Sequence, residues 1–451
     1  MHIRGILSCF LAAVTMFAAA HGPAQGANGT NPNCQIGKVC TVLDAAQVFE
    51  LADRLGQVGR TRDAAITLQG LTSDPDPQIR AEARFRLASL EESLGNLAAA
   101  ASTYRALLAE MPDATRVRLE FARVLVQMGE ENAASNQLQR AASAGLPEDV
   151  ARVVDKFQLA IRSRRRTGLS VEFGLAPDSN INNATTDTTV LIGNTPLTLD
   201  RDARAQSGLG ATISSQAFWR PAIAADTNIL LSTSVNADLY RQSAFNNIGF
   251  SISAGPELLR QRTRYRPSVS AHWRWFGGKR FSTSQGLSLN VMRQIDRVSK
   301  VQFDLSAIHT QFQINPALDG TTFSLSTRYE RALSPRLYGR ITNRLDRQNA
   351  QHAPFATWSA STVWLITRDL GRHSLYGSAG FTRTWGDAAF TLPPARRNDK
   401  LIDLEIGALL RGFAYQGFAP LIQLRRTINQ SPVFFYDFRR TRIEFGLTRE
   451  F

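Results

Sequence analysis

Cysteine is scarce, with three residues in 451, at positions 9, 34 and 40. That excludes a disulfide-dense scaffold and any four-cysteine zinc site. Histidine is scarce too. His272, His309, His352 and His373 stand far apart, so no metal-spaced cluster forms. No Gly-x-Ser-x-Gly elbow and no phosphate loop occurs. No catalytic residue, no cofactor and no metal is therefore expected, and the protein is not expected to be an enzyme. Beyond the N-terminus no run approaches ~20 apolar residues, which excludes a helical membrane span. Acidic residues are outnumbered, 38 against 52 Lys and Arg, for a net charge of +14 and a pI near 10.4.

What is present begins with an address. Met1 to Ala20 has a short basic start at His2 and Arg4, then an apolar run from Ile6. Phe17-Ala-Ala-Ala20 and Ala24-Gln-Gly26 are small-residue cleavage sites. Residues 1–26 read as a secretory signal peptide. Cys9 lies too early in that run for a lipid-anchor site. The segment 27–43 is a loop rich in Asn, Pro and Gly, and holds Cys34 and Cys40. In an oxidising compartment these two form a candidate local disulfide, with free thiols as the alternative. A secreted chain does not meet nucleic acid, so the basic excess needs another account. Arginine recurs along alternating strands rather than in one patch, which suits a pore lining or contact with outer-membrane lipid and lipopolysaccharide.

Residues 44–163 are rich in Ala and Leu at helical spacing, and they repeat. Gly59, Gly95 and Gly129 are each preceded by seven residues by Ala52, Ala88 and Ala122. Five residues after each glycine stand Ala64, Ala100 and Ala134, and nine after stand Leu68, Tyr104 and Leu138. A period near 34 with small residues at those offsets is the tetratricopeptide (TPR) pattern. Each repeat is two antiparallel helices, with small residues where they cross and glycine at the turn. Three repeats and a last helix over 148–163 are expected to make a short α-solenoid. Arg162-Ser-Arg-Arg-Arg-Thr-Gly168 marks the boundary, with a linker over 164–168.

From 169 to 451 the texture changes to alternating runs of ten to fourteen residues separated by Gly, Pro, Asn, Asp and Ser. Strands are expected near 168–176, 207–218, 227–240, 247–258, 264–275, 284–296, 299–312, 320–333, 336–347, 355–367, 372–385, 400–412, 418–429 and 437–451. Fourteen is an even number, as a single-chain bacterial barrel needs. Most connections after even strands are short, as at Arg297-Val298 and Ser334-Pro335. Those after odd strands run longer, as over Pro177–Gln206. Short turns on one side and long loops on the other fit an outer-membrane barrel. Trp219, Tyr240, Trp273, Trp275, Trp385 and Tyr436 sit near strand ends and suit interfacial girdles. In the last segment Ile443, Phe445 and Leu447 alternate with polar or small residues, and the sequence stops on Phe451. These four are the candidate closure signal of a barrel. Phe451 is expected to be read by the barrel assembly machinery. Arg449 departs from the apolar face and is expected to reach an interface by snorkelling.

Two motifs bracket this half. One is Ala176-Pro-Asp-Ser-Asn-Ile-Asn-Asn-Ala184, a turn-rich loop containing Pro177, Asp178, Ser179, Asn180 and Asn182. The other is Tyr436-Asp-Phe-Arg-Arg-Thr-Arg-Ile-Glu-Phe-Gly-Leu-Thr-Arg-Glu-Phe451. Together they resemble the surface lipoprotein assembly modulator (Slam) family, over about 44–451. The resemblance implies a TPR domain in the periplasm, joined to a fourteen-stranded barrel in the cell outer membrane. It also implies a translocator that moves surface lipoproteins, or related secreted binding proteins, to the cell surface. Two alternatives stand beside it. An exopolysaccharide export porin also joins periplasmic TPRs to a barrel, usually with more repeats. A passive, anion-preferring porin needs no partner at all.

Overall fold

The computed structural model describes residues 43–144, 146, 150, 154, 166–192, 195–224, 226–392, 394–413, 415 and 418–450. The signal segment 1–26, Cys34, Cys40, Phe451 and most of the span 148–163 lie outside the described residues.

Among the described residues six α-helices come first: α1 Ala45–Gln57, α2 Thr61–Leu71, α3 Pro77–Ser93, α4 Leu97–Glu110, α5 Thr115–Met128 and α6 Glu131–Ser143. They form three helix–turn–helix repeats. The repeat has a local cause. Gly59, Gly95 and Gly129 all take φ +78°, a left-handed conformation open to glycine. Each closes its helix with the same pair of bonds. The glycine N–H bonds three residues back, and the next N–H reaches five back: Arg60 to Leu55, Asn96 to Glu91 and Glu130 to Leu125. This is the Schellman arrangement, and it turns the chain at the same angle each time. The predicted crossing positions are the core. Ala52, Ala88, Ala122, Ala64, Ala100, Ala134, Leu68, Tyr104 and Leu138 are all at most 2% exposed. Tyr104 packs edge-on against Phe85 at 6.1 Å and beside Phe121 at 6.5 Å. At α3, Pro77 occupies the first turn and Asp76 accepts from the Gln78 N–H at 2.8 Å, a cap that sets where the helix begins.

Fourteen long strands follow: β1 Thr167–Asp178, β2 Gly208–Trp219, β3 Thr227–Tyr240, β4 Asn247–Arg260, β5 Thr263–Phe276, β6 Lys279–Gln294, β7 Ser299–Phe312, β8 Gly320–Ser334, β9 Leu337–Gln348, β10 Thr357–Leu370, β11 His373–Ala389, β12 Arg396–Leu409, β13 Ala419–Gln430 and β14 Phe438–Glu450. Every neighbour pairs antiparallel in chain order, and β1 pairs with both β2 and β14, closing the ring. Alternation decides the faces. Leu169, Phe173 and Leu175 of β1, Phe303 and Leu305 of β7, and Ile402, Leu404 and Ile406 of β12 stand exposed on the outside. Their neighbours Glu172, Asp304, Asp403 and Glu405 turn inward. An apolar exterior around a polar lumen is the pattern of an outer-membrane barrel. Among the described residues no helix is long and apolar enough to cross a membrane.

Three expectations are corrected. The connection after β5 is not a long loop. Lys279 to Thr283 continue the alternation, so the turn is only Gly277-Gly278, at φ +57° and +75°. Two successive left-handed residues suit a tight hairpin whose twist matches its strands. Tyr240 is not an interfacial residue. It shares inward parity with Asn236 and Asp238 and is buried, its ring near Arg440. Tyr436 lies in a short turn before β14, stacked against the Arg397 guanidinium at 3.8 Å. Trp219 and Trp385 stand exposed on the outer face.

Candidate functional site

The loop motif lies at the mouth remote from the helices, and its side chains are spent on the fold. Asn180 is 0% exposed. Its Nδ2 donates to the carbonyls of Ala184 at 2.8 Å and Arg439 at 2.9 Å, and its Oδ1 accepts from the Ala184 N–H. Ser179 and Thr441 bond reciprocally: the Ser179 N–H to the Thr441 carbonyl at 3.0 Å, and the Thr441 N–H to Ser179 Oγ at 2.8 Å. Asp178 receives the Arg440 guanidinium. Asn182 ties the far end of the loop, donating to the Asp202 and Arg204 carbonyls and accepting from the Gln206 N–H. Pro177 has no N–H to give the ladder. Pairing of β1 with β14 runs from Ser170–Glu450 to Leu175–Phe445 and resumes at Asp178–Arg442. The motif therefore staples the first strand to the last across the interval that Pro177 interrupts. Ile443, Phe445 and Leu447 of β14 face outward, with Phe445 51% exposed.

At the opposite mouth the helices and the barrel share a cavity of about 780 Å³. α4, α5 and α6 supply Arg105, Arg118 and Arg140 to its wall. The barrel supplies Arg336, Arg372 and Arg411 from turns, and Arg264, Arg266, Lys300, Arg328 and Arg340 from strands. Among the described residues that is eleven cations against four acids: Glu130, Glu172, Glu330 and Asp369. Three of these acids face cations. Glu330 takes Lys300 at 2.8 Å and the Tyr338 hydroxyl. Asp369 takes Arg140 and the Ser374 hydroxyl. The Arg140–Asp369 pair joins α6 to the end of β10. Glu130 stands 4.0 Å from Arg105.

The helix arginines are unusual in their cover. Arg118 and Arg140 are 3% and 6% exposed. Arg118 bonds neutral acceptors, the Pro112 carbonyl at 2.9 Å and Gln137 Oε1 at 2.7 Å. Burial lowers its pKa to about 10, with Asp113 opposing and Arg336 adding to the shift. Burial and nearby Arg411 lower Arg105 to about 10 as well, against the pull of Glu130. Both stay protonated at neutral pH, so the chamber keeps its charge. On the lumen wall near the closure seam the sign reverses, where Glu172 lies among Glu405 and Glu444. The chamber cations stand on β5, β7, β8 and β9, and these three glutamates on β1, β12 and β14.

This chamber leaves no local mark in the sequence. Arg118 and Arg140 are spaced within their helices as solvated arginines would be, and nothing local shows that they line a cavity shared with a barrel mouth. Among the described residues no group of His, Cys, Asp and Glu is placed to hold a metal ion.

Comparison with known proteins agrees with the two halves. Residues 168–451 match the family model for surface lipoprotein assembly modifier, and residues 91–154 match a tetratricopeptide repeat model. Surface lipoprotein assembly modifier 1 of Neisseria meningitidis serogroup B is 32% identical over 95 residues, 21% of this chain and 20% of that protein. Surface lipoprotein assembly modifier 1 of Haemophilus influenzae is 26% identical over 219 residues, 48% of this chain and 43% of that protein. The matched stretches span less than half the length of these relatives. A solved bacterial polysaccharide outer membrane secretin aligns at TM-score 0.34 and 11% identity, covering 62% of this chain and 98% of its own. With more than half its length matched by the family model, this chain belongs to the surface lipoprotein assembly modifier family.

Proposed function

We propose that this protein is an outer-membrane translocator. Its helical layer, on the periplasmic side, captures an exported lipoprotein or related secreted binding protein and hands it to the barrel for display at the surface. The observation that carries this reading is the shared chamber: the TPR stack packs against the barrel mouth, and one cavity is walled by both. A TPR stack supplies a concave surface suited to extended segments, and a barrel of this strand number encloses a lumen wide enough to need filling or gating. No step in this account is catalytic. Family membership supports the reading.

The test is surface display. Removing residues 44–163 should leave an inserted barrel, and neighbouring secreted lipoproteins should become inaccessible to external protease. Cargo that still reaches the surface without the helical layer would sink the capture step. The cationic chamber also suits an anion-preferring pore, and steady partner-free conductance in planar bilayers would favour that reading.

A further inference from the structure

The helix arginines have a cost that the fold does not explain. Burying a guanidinium is unfavourable unless an anion meets it. Arg118 satisfies its donors with a carbonyl and an amide, not a carboxylate. Arg140 has Asp369, yet its Nε lies buried without a hydrogen-bond partner among the described residues. Arg140 also sits within electrostatic reach of Arg118 and Arg411, and Arg118 within reach of Arg336. Like charges from three helices and two barrel turns therefore converge on one cavity. A stack needing only stability would place apolar residues there, since a well-packed apolar group of similar size is often neutral or better.

We infer that this chamber is a binding site for an acidic stretch of polypeptide, whose carboxylates bridge Arg118 and Arg140 of the helices to Arg336 and Arg372 of the barrel turns. Three features suit a carboxylate-bearing chain, and the second separates it from a single phosphate. The arginine fork matches carboxylate geometry two bonds at a time, as it does phosphate. The cations are spread along the walls from helices to turns to strands, as a string of separated charges needs, rather than focused on one point as a single phosphate needs. The cavity volume, about 780 Å³, accepts several residues of extended chain and falls within the usual span of about 300–1,000 Å³ for ligand pockets. Inward from it the lumen wall carries Arg340, and Arg264 and Arg266 gathered around the buried Glu257. An acidic segment thus has a path from the helices into the barrel. This inference rests on the translocator reading and names the chemistry that its cargo presents.

The full chain, purified in detergent, is titrated with a fluorescein-labelled hexaglutamate peptide and followed by anisotropy. Binding is expected, weakening with added salt. Arg118→Gln and Arg140→Gln should each raise Kd about tenfold, the scale of a lost charge-assisted contact. Because these two are buried, Arg336→Gln and Arg372→Gln, at exposed turn positions, serve as variants that keep the fold, and the double variant should also weaken binding. Heat-modifiable migration checks that each barrel is folded. Hexalysine should not compete. Equal affinity in folded wild type and all variants overturns the proposal. So does displacement of the peptide by inorganic phosphate at lower concentration than free glutamate peptide, or by lipopolysaccharide alone, because either points to a phosphate site. Lost peptide binding with surface display intact would sink this inference and leave the translocator reading standing. Normal display after removal of 44–163, with peptide still bound by the full chain, would do the reverse.

Discussion

Arg440 at the start of β14 holds Asp178 at the end of β1, its Nε 2.9 Å from Oδ2, and the Asp178 side chain is fully buried. Two residues 262 apart in sequence thereby close the barrel where the ladder is interrupted. Asp178→Ala strands the guanidinium. Losing one partner of a buried pair costs about 3–5 kcal/mol, and the lower end applies because Arg440 is partly exposed. The urea midpoint of the folded, heat-modifiable form should fall accordingly. An unchanged midpoint would mean that Asn183 and Tyr240 hold Arg440 unaided.

The outer face of β14 makes a second prediction. Phe445 pairs with Leu175 in β1 and Ile422 in β13, and all three are exposed apolar residues on the outside. Phe445→Arg should cost roughly 2–4 kcal/mol if the site lies near the membrane midplane. The expected result is a smaller heat-modifiable fraction in outer membranes. Phe445→Leu should insert normally. Full insertion of the arginine variant would place this residue at an interface instead.

The TPR core predicts a third. Tyr104 is fully buried between Phe85 and Phe121. Tyr104→Ala should destabilise the helical layer by about 3–5 kcal/mol, through lost transfer energy and the cavity left behind. Hydrogen exchange should quicken in α3–α5 while the barrel strands keep their protection. Uniform change across both halves would show that the two unfold together.

Acid sensitivity provides a fourth. Burial alone would raise the pKa of Glu110, but hydrogen bonds from Arg84 and Arg80 outweigh it and hold the carboxyl below its usual value. A folded pKa below the unfolded one contributes stability that is present above the unfolded pKa and lost as pH falls through the folded one. Protection of α3 and α4 should therefore decline as pH drops below the ordinary carboxylate range. Glu110→Gln should flatten that part of the decline. An identical pH profile in the variant would remove Glu110 from the account.

Much of this molecule is determined by local rules, and those are legible. The glycine period comes from one turn repeated three times, since each left-handed glycine closes its helix with bonds no more than five residues long. The strands are legible because the pleat turns alternate side chains to opposite faces whatever their neighbours are. The same rule, applied strictly, would have turned Tyr240 inward with Asp238. The hairpin at Gly277-Gly278 was also open to reading, from a double glycine between alternating runs. The chamber was not. Arg140 meets Asp369 across 229 residues, and nothing near Arg118 in sequence distinguishes an arginine facing water from one facing a barrel mouth. A side chain's burial belongs to what packs over it. Arg140 has Asp369 at the end of β10, and Arg118 shares a cavity wall with Arg336, so only the tertiary structure decided their role.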